Sequence, residues 1–163
     1  MKPVISLIGR HNAGKTTLLR QLVACLKRQG LKVAYIKHTH HDHIMLPGQD
    51  SELVLQAGAD FAALISPLLS IRYQRHEAEP SLEQIFASVP ADVDLIIVEG
   101  FKKEALPKVE VLRQAIDPVP MLLPRTVALV SDFALECGLP VIPIDDAEAL
   151  ARFVCRCCEL PCV

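Results

Sequence analysis

Apolar and polar positions along this chain follow two patterns: short continuous apolar runs, and longer stretches whose apolar residues recur at helical spacing. Val4-Ile5-Ser6-Leu7-Ile8 is the first run, and Thr17 to Leu26 follows with helical periodicity. That helix is expected to begin near Gly14 and end at Gly30, with Lys27 and Arg28 complementing its dipole. Lys32 to His38 predicts a second strand, after which a polar, His-rich loop runs to Pro47-Gly48. Asp50 or Ser51 then opens a short helix through Gln56 that stops at Gly58. Phe61 to Ser66 and Ser70 to Arg75 predict two strands joined as a hairpin around Pro67. Ser81-Leu82-Glu83-Gln84 carries a helix cap and an acidic first turn, and Asp94 to Gly100 is the clearest buried strand. Lys108 to Arg113 alternates as a half-exposed strand. Val127 to Val130 and Val141 to Ile144 are further strands, and Asp145 is expected to cap a last helix. Strand, helix and strand in repeated succession predict an α/β fold, a mostly parallel sheet flanked by helices on both faces.

Composition narrows the class. The 163 residues suit a single domain, 51% of them hydrophobic, which fits parallel strands buried on both faces or an apolar subunit interface. A net charge of −2, no Trp and 4% aromatic residues leave neither a basic field nor stacking platforms, which argues against nucleic acid as a partner. The apolar run before Gly9 is too short for a signal sequence, and no run approaches membrane-spanning length, so a cytoplasmic protein is expected. In that compartment the six cysteines are expected to be thiols.

The first run leads directly into Gly9-Arg10-His11-Asn12-Ala13-Gly14-Lys15-Thr16, which spells G-x-x-x-x-G-K-[ST], and Thr17 continues into the helix. Two glycines let the backbone curl until successive N–H groups point inward around phosphate oxygens. Lys15 adds charge, the Thr16 hydroxyl suits Mg²⁺, and the helix presents its positive end. A nucleoside triphosphate is the implied ligand. The metal needs a second acidic group, and Asp94 and Glu99 stand at opposite ends of the buried strand, roughly 16 Å apart at ~3.3 Å per residue. Ligands gather at the carboxyl ends of parallel strands, so Glu99 is the candidate and Asp94 a strand-edge residue. Asp50 either touches Mg²⁺ or caps its helix.

Other residues leave alternatives open. His38, His40, His41 and His43, with Asp42, either bind a transition metal, contact an anionic ligand, or form a solvated loop; Lys37 at the same strand end favours the anion. Asp132, after Val127-Ala128-Leu129-Val130-Ser131, either accepts from guanine donors or is a turn residue. An Asn-Lys-x-Asp segment, the usual guanine reader, is absent. Cys155, Cys157, Cys158 and Cys162 form C-x-C-C-x-x-x-C, which invites a zinc or iron–sulfur reading but matches poorly the paired C-x-x-C of structural zinc sites; an apolar helix face carrying Cys155 and Cys158, or exposed thiols, suits the spacing better.

The phosphate-loop residues, then Ile36-Lys37-His38-Thr39-His40-His41-Asp42, Pro47-Gly48-Gln49-Asp50-Ser51, Ala57-Gly58-Ala59 and Val98-Glu99-Gly100-Phe101-Lys102 occur in that order. As an ordered set, from about Val4 to Asp132, they resemble the MobB family of molybdopterin guanine dinucleotide biosynthesis adapters. The resemblance implies a P-loop fold, a homodimer, GTP with Mg²⁺, weak GTP hydrolysis and partnership with the guanylyltransferase that joins GMP to molybdopterin. By position it implies phosphate and Mg²⁺ contacts for Gly14, Lys15 and Thr16, metal support from Glu99 with Asp50 at its edge, and nucleotide or pterin phosphates facing Lys37, His38 and Lys102. Two departures stand out. Ile44-Met45-Leu46 precedes Pro47-Gly48-Gln49-Asp50 where the family carries aspartates, and the cysteine tail lies outside the family pattern.

The rival function is a small-molecule kinase of the P-loop class using ATP or GTP. A kinase needs arginines over the transferred phosphoryl group, and Arg72 and Arg75 are the clustered pair in mid-chain.

Overall fold

The computed structural model describes residues 2–39 and 50–161. In chain order the elements are β1 (Val4–Gly9), α1 (Lys15–Arg28), β2 (Val33–Lys37), α2 (Asp50–Gln56), β3 (Phe61–Ile65), β4 (Ser70–Gln74), α3 (Leu82–Ala87), β5 (Leu95–Glu99), β6 (Lys108–Leu112), β7 (Thr126–Ser131), β8 (Val141–Pro143) and α4 (Ala147–Cys157). They fall into two units, one built from Met1–Thr39 and Pro90–Val163, the other from His40–Val89.

The first unit is a six-stranded sheet of order β2-β5-β1-β6-β7-β8. Every neighbouring pair is parallel, so all the strands deliver their carboxyl ends to one edge. One apolar face comes from Leu18, Leu22 and Leu26 of α1, Leu150 and Val154 of α4, and Ile5, Leu7, Ile97, Val109 and Val130 of the sheet. Burial of such side chains contributes about 1.5–3 kcal/mol each, and it holds α1 on the strand that leads into it. The two helices of this unit therefore share a face.

The opposite face of β6 departs from the expected half-exposure, because all five residues of the strand are buried. Its alternation is real, but the polar positions are satisfied by backbone rather than water. Lys108, 1% exposed, donates to the carbonyls of Glu104 (2.5 Å), Leu106 (3.1 Å) and Pro124 (3.0 Å). Glu110, equally buried, accepts from the N–H groups of Met121 (2.7 Å) and Leu122 (3.0 Å). The loops on either side of β6 are thus tied over that face.

In the second unit β3 and β4 pair antiparallel from Phe61 opposite Gln74 to Ile65 opposite Ser70, the expected hairpin. The Ser81 hydroxyl accepts from Gln84 N–H while the Gln84 side chain accepts from Ser81 N–H, a capping box that starts α3. Phe61, Leu64, Ile65, Leu68 and Leu69 are exposed, Leu68 to 98%.

Two local expectations shift. The cap of α4 is Asp146, accepting from Ala149 N–H at 2.8 Å, and not Asp145. Cys155 is disulfide-bonded, contrary to the expectation of thiols throughout, whereas Cys25, Cys137, Cys157 and Cys158 are free. Cys25 is a core residue, and Cys137 is half-buried. Burial, reinforced by Cys157, pushes the Cys158 thiol up to about 11. No described helix is long and apolar enough to cross a membrane.

Candidate functional site

The turn from β1 into α1 sets the geometry at the carboxyl edge of the sheet. Gly9 has φ +155°, and a Cβ there would lie 2.6 Å from the Val111 carbonyl oxygen of the adjacent strand, so no side chain fits. Asn12 (φ 61°) and Gly14 (φ 87°) take left-handed conformations that curl the loop, and Ala13 is buried beneath it. His11, Asn12, Thr16 and Thr17 are exposed. Gly14 is the N-cap of α1, with no side chain bonded to the helix start and no acidic residue in the first turn. The first-turn N–H groups therefore face outward with a positive field, a setting that suits an anion.

Lys15 folds back over the loop, its Nζ donating to the carbonyls of Arg10 (2.8 Å) and Gly9 (3.4 Å). Desolvation lowers its pKa, Glu99 opposes that shift, and the charges of Lys102 and Lys37 add to it. Lys15 therefore lies within electrostatic reach of the Glu99 carboxylate and of two further ammonium groups.

That carboxylate, Glu99, ends β5, the strand beside β1, with Leu7 and Lys37 as its register neighbours. It is buried to 7% exposure and accepts from the Tyr35 hydroxyl at 2.6 Å, with Lys37 Nζ at 3.8 Å. Burial and then the bond to Glu99 push the Tyr35 hydroxyl pKa above its ordinary value. Asp94 lies just before the other end of the strand, where it accepts from Lys32 N–H at 2.7 Å. Gly100 (φ +96°) follows Glu99, His38 packs at 3.4 Å from where its Cβ would stand, and the His38 and Phe101 rings stack at 4.6 Å. Thus Lys15, Glu99, Lys37, His38 and Lys102 come together at one sheet edge.

Across the loop, Arg10 pairs with Asp117 at 3.0 Å, and Arg113 with Asp132 at 3.6 Å. The second oxygen of Asp132 accepts from Gln114 N–H at 2.8 Å, so both its oxygens are engaged within the protein. A cleft of about 790 Å³ opens here, reaching from Gly14 and Thr17 past Arg113 to Phe133 and Asp145.

Tyr35 and Arg113 were not singled out from the sequence. Tyr35 stands two residues before Lys37 on β2, the spacing that puts two side chains on one face, and Arg113 directly follows a parallel strand, where ligand sites collect. Asp50, the first residue of α2, is exposed in the second unit. His40, His41, Asp42, His43 and Cys162 lie outside the described residues. Among the described residues no group of three His, Cys, Asp or Glu side chains is placed to hold a metal ion. Arg75 is committed to its own unit, donating to Leu55 O at 2.7 Å and Ala59 O at 3.1 Å, so it lacks the freedom a kinase arginine needs.

The model of the family described as "MobB: Molybdopterin guanine dinucleotide synthesis protein B" matches residues 4–132. The chain belongs to the MobB family. It is 34% identical over 161 residues to the molybdopterin-guanine dinucleotide biosynthesis adapter protein of Escherichia coli (strain K12), covering 94% of this chain and 92% of that one. It is 26% identical over 156 residues to the probable adapter protein of the same name from Bacillus subtilis (strain 168), covering 91% and 89%. Among solved structures it matches a molybdopterin-guanine biosynthesis protein B with a TM-score of 0.79 at 26% identity, covering 94% of this chain and 99% of that one. It matches the MobB homolog from Bacillus stearothermophilus with a TM-score of 0.73 at 25% identity, covering 96% and 97%. The MobB family resemblance and the α/β fold expected from the sequence are both borne out.

Proposed function

We propose that this MobB-family chain is a GTP-binding adapter in molybdopterin guanine dinucleotide biosynthesis, its residues acting together as one nucleotide-binding domain. The observation that carries the reading is the juxtaposition of an α1 start without a side-chain cap, Lys15, and the buried Glu99 among Lys37 and Lys102. Phosphate oxygens replace the Gly9 and Arg10 carbonyls as partners of the Lys15 ammonium, and the first-turn N–H groups of α1 hold the rest of their charge. The Thr16 hydroxyl and Glu99 would hold Mg²⁺, oxygen donors of the kind a hard cation takes. Bound Mg²⁺ supplies charge neutralisation at the phosphates. Lys37, His38 and Lys102 offer a second anionic group, such as a pterin phosphate, a place beside the nucleotide.

Weak hydrolysis belongs to this reading, because Glu99, which already accepts from the Tyr35 hydroxyl, would serve the metal through water and not take a proton from an attacking water. The role is to present GTP to the guanylyltransferase in the cytoplasm. The exposed apolar residues of the β3–β4 hairpin support assembly as a homodimer.

Thermal-shift titration with GTP and ATP, with and without Mg²⁺, tests the proposal. GTP with Mg²⁺ is expected to raise the melting temperature more than ATP does. Lys15→Ala is expected to lower affinity on the order of 100-fold, the loss of charge-assisted contacts. Equal GTP affinity in the variant sinks the site, and fast phosphoryl transfer to a small acceptor without a partner enzyme sinks the adapter role.

A further inference from the structure

A nucleotide whose phosphates occupy the glycine-rich loop needs space for its base beside that loop, and the cleft beginning at Gly14 and Thr17 offers it within this unit. Its volume of about 790 Å³ lies within the range of small-molecule sites, and Leu18, Phe133, Val141 and Ile144 give it apolar walls of the kind a flat heterocycle needs. Two carboxylates line it, Asp132 and Asp145. Asp132 is spent: one oxygen accepts from Gln114 N–H and the other faces Arg113, so its work is to hold that guanidinium beside the loop, where it lies 3.2 Å from the position of a Gly14 Cβ. Asp145 is different. Capping of α4 falls to Asp146, and Asp145 is exposed, with no hydrogen bond or ion pair among the described residues.

We propose that the cleft is the base subsite and that Asp145 is the residue that selects guanine over adenine, an inference that rests on the nucleotide-binding reading above. Guanine presents two adjacent donors, N1–H and the 2-amino group, and an ionised carboxylate is an acceptor on both oxygens. The pair matches two hydrogen bonds side by side. Adenine presents a bare N1 lone pair at the same place, which repels a carboxylate and leaves it unpaired in the cleft. Selectivity therefore comes from rejection of adenine as much as from attraction of guanine.

The test is competition binding by the full chain, using GTP, ATP, inosine triphosphate and xanthosine triphosphate with Mg²⁺. In the unmodified protein inosine triphosphate, lacking the 2-amino donor, is expected to bind about tenfold more weakly than GTP. In Asp145→Asn, GTP affinity is expected to fall by at least about tenfold while xanthosine triphosphate gains, because an amide donates to the carbonyl that xanthine carries at C2. Asp132→Asn is expected to leave the order of preference unchanged. Measurement on the unmodified protein keeps the question answerable should a variant fold poorly. Equal binding of GTP and inosine triphosphate there, or an unchanged GTP-to-ATP ratio in Asp145→Asn, overturns the inference while Lys15-dependent triphosphate binding stands. Absence of any triphosphate binding overturns both readings.

Discussion

Lys108→Met removes the ammonium from the middle of the sheet while keeping an unbranched stem of similar volume. Lys108 sits at the start of β6, between β1 and β7, at 1% exposure, and supplies donors to three carbonyls, those of Glu104, Leu106 and Pro124. Each acceptor left without a donor in a buried setting costs about 1–3 kcal/mol. Some of that is returned, because methionine avoids the desolvation that the buried ammonium suffers, visible in the lowering of its pKa by burial and by the nearby Arg125. Three orphaned carbonyls less that relief come to about 2–4 kcal/mol, a fall of roughly 5–15 °C in Tm for a chain of this size. Urea denaturation followed by far-UV circular dichroism measures it, with Lys103→Met, an exposed lysine, as the comparison expected to stay within about 0.5 kcal/mol. The variant should also bind GTP more weakly, because the loop held through Glu104 and Leu106 is the one that carries Lys102. A Lys108→Met protein as stable as the Lys103→Met protein refutes the claim that this ammonium pins the loops.

Glu99→Gln is expected to weaken Mg²⁺-dependent GTP binding by more than about tenfold, and Asp94→Asn to leave it nearly unchanged, since Asp94 spends its carboxylate on Lys32 N–H; calorimetry with and without Mg²⁺ ranks them, and the reverse order shows that the metal lies at the other end of β5. The lowered pKa of Lys15 sets a pH dependence. Phosphate requires the ammonium, so affinity is expected to be full below that pKa and to fall as pH rises through it, earlier than for an ordinary lysine. The fall is measured above about pH 8, where the phosphates are already fully ionised. Calorimetry in buffers of different ionisation enthalpy should then show proton uptake on binding, and its absence refutes the assignment of Lys15 as the phosphate ligand.

Much of the candidate site's geometry was legible because it is local. The glycine-rich loop is a contiguous string, and the place of Glu99 beside it follows from the end of the buried strand on which it stands. The hairpin at Phe61 to Gln74 was equally plain from its two apolar runs and Pro67. What escaped was whatever depends on partners distant in sequence. Lys108 and Glu110 alternate with Val109 and Val111 and so resemble a solvent face, yet loop carbonyls and N–H groups stand where water would. Asp145 and Asp146 are identical neighbours, and the turn after β8 decides which one meets the start of α4. The engagement of Asp132 with Arg113 arises only because β6 and β7 lie side by side, an adjacency no local pattern announces.

The α1 start, which lacks a side-chain cap, has a consequence for folding as well as for binding. Most helices carry their own cap, worth about 1 kcal/mol, in a Ser, Thr, Asp or Asn at the first position. Here that position is Gly14, which offers no side-chain acceptor. A bound triphosphate would complete the helix as a missing residue would. Part of its binding energy would therefore appear as tightening of the first turn, and amide exchange in residues 15–18 would slow with ligand more than anywhere else in the sheet-and-helix unit.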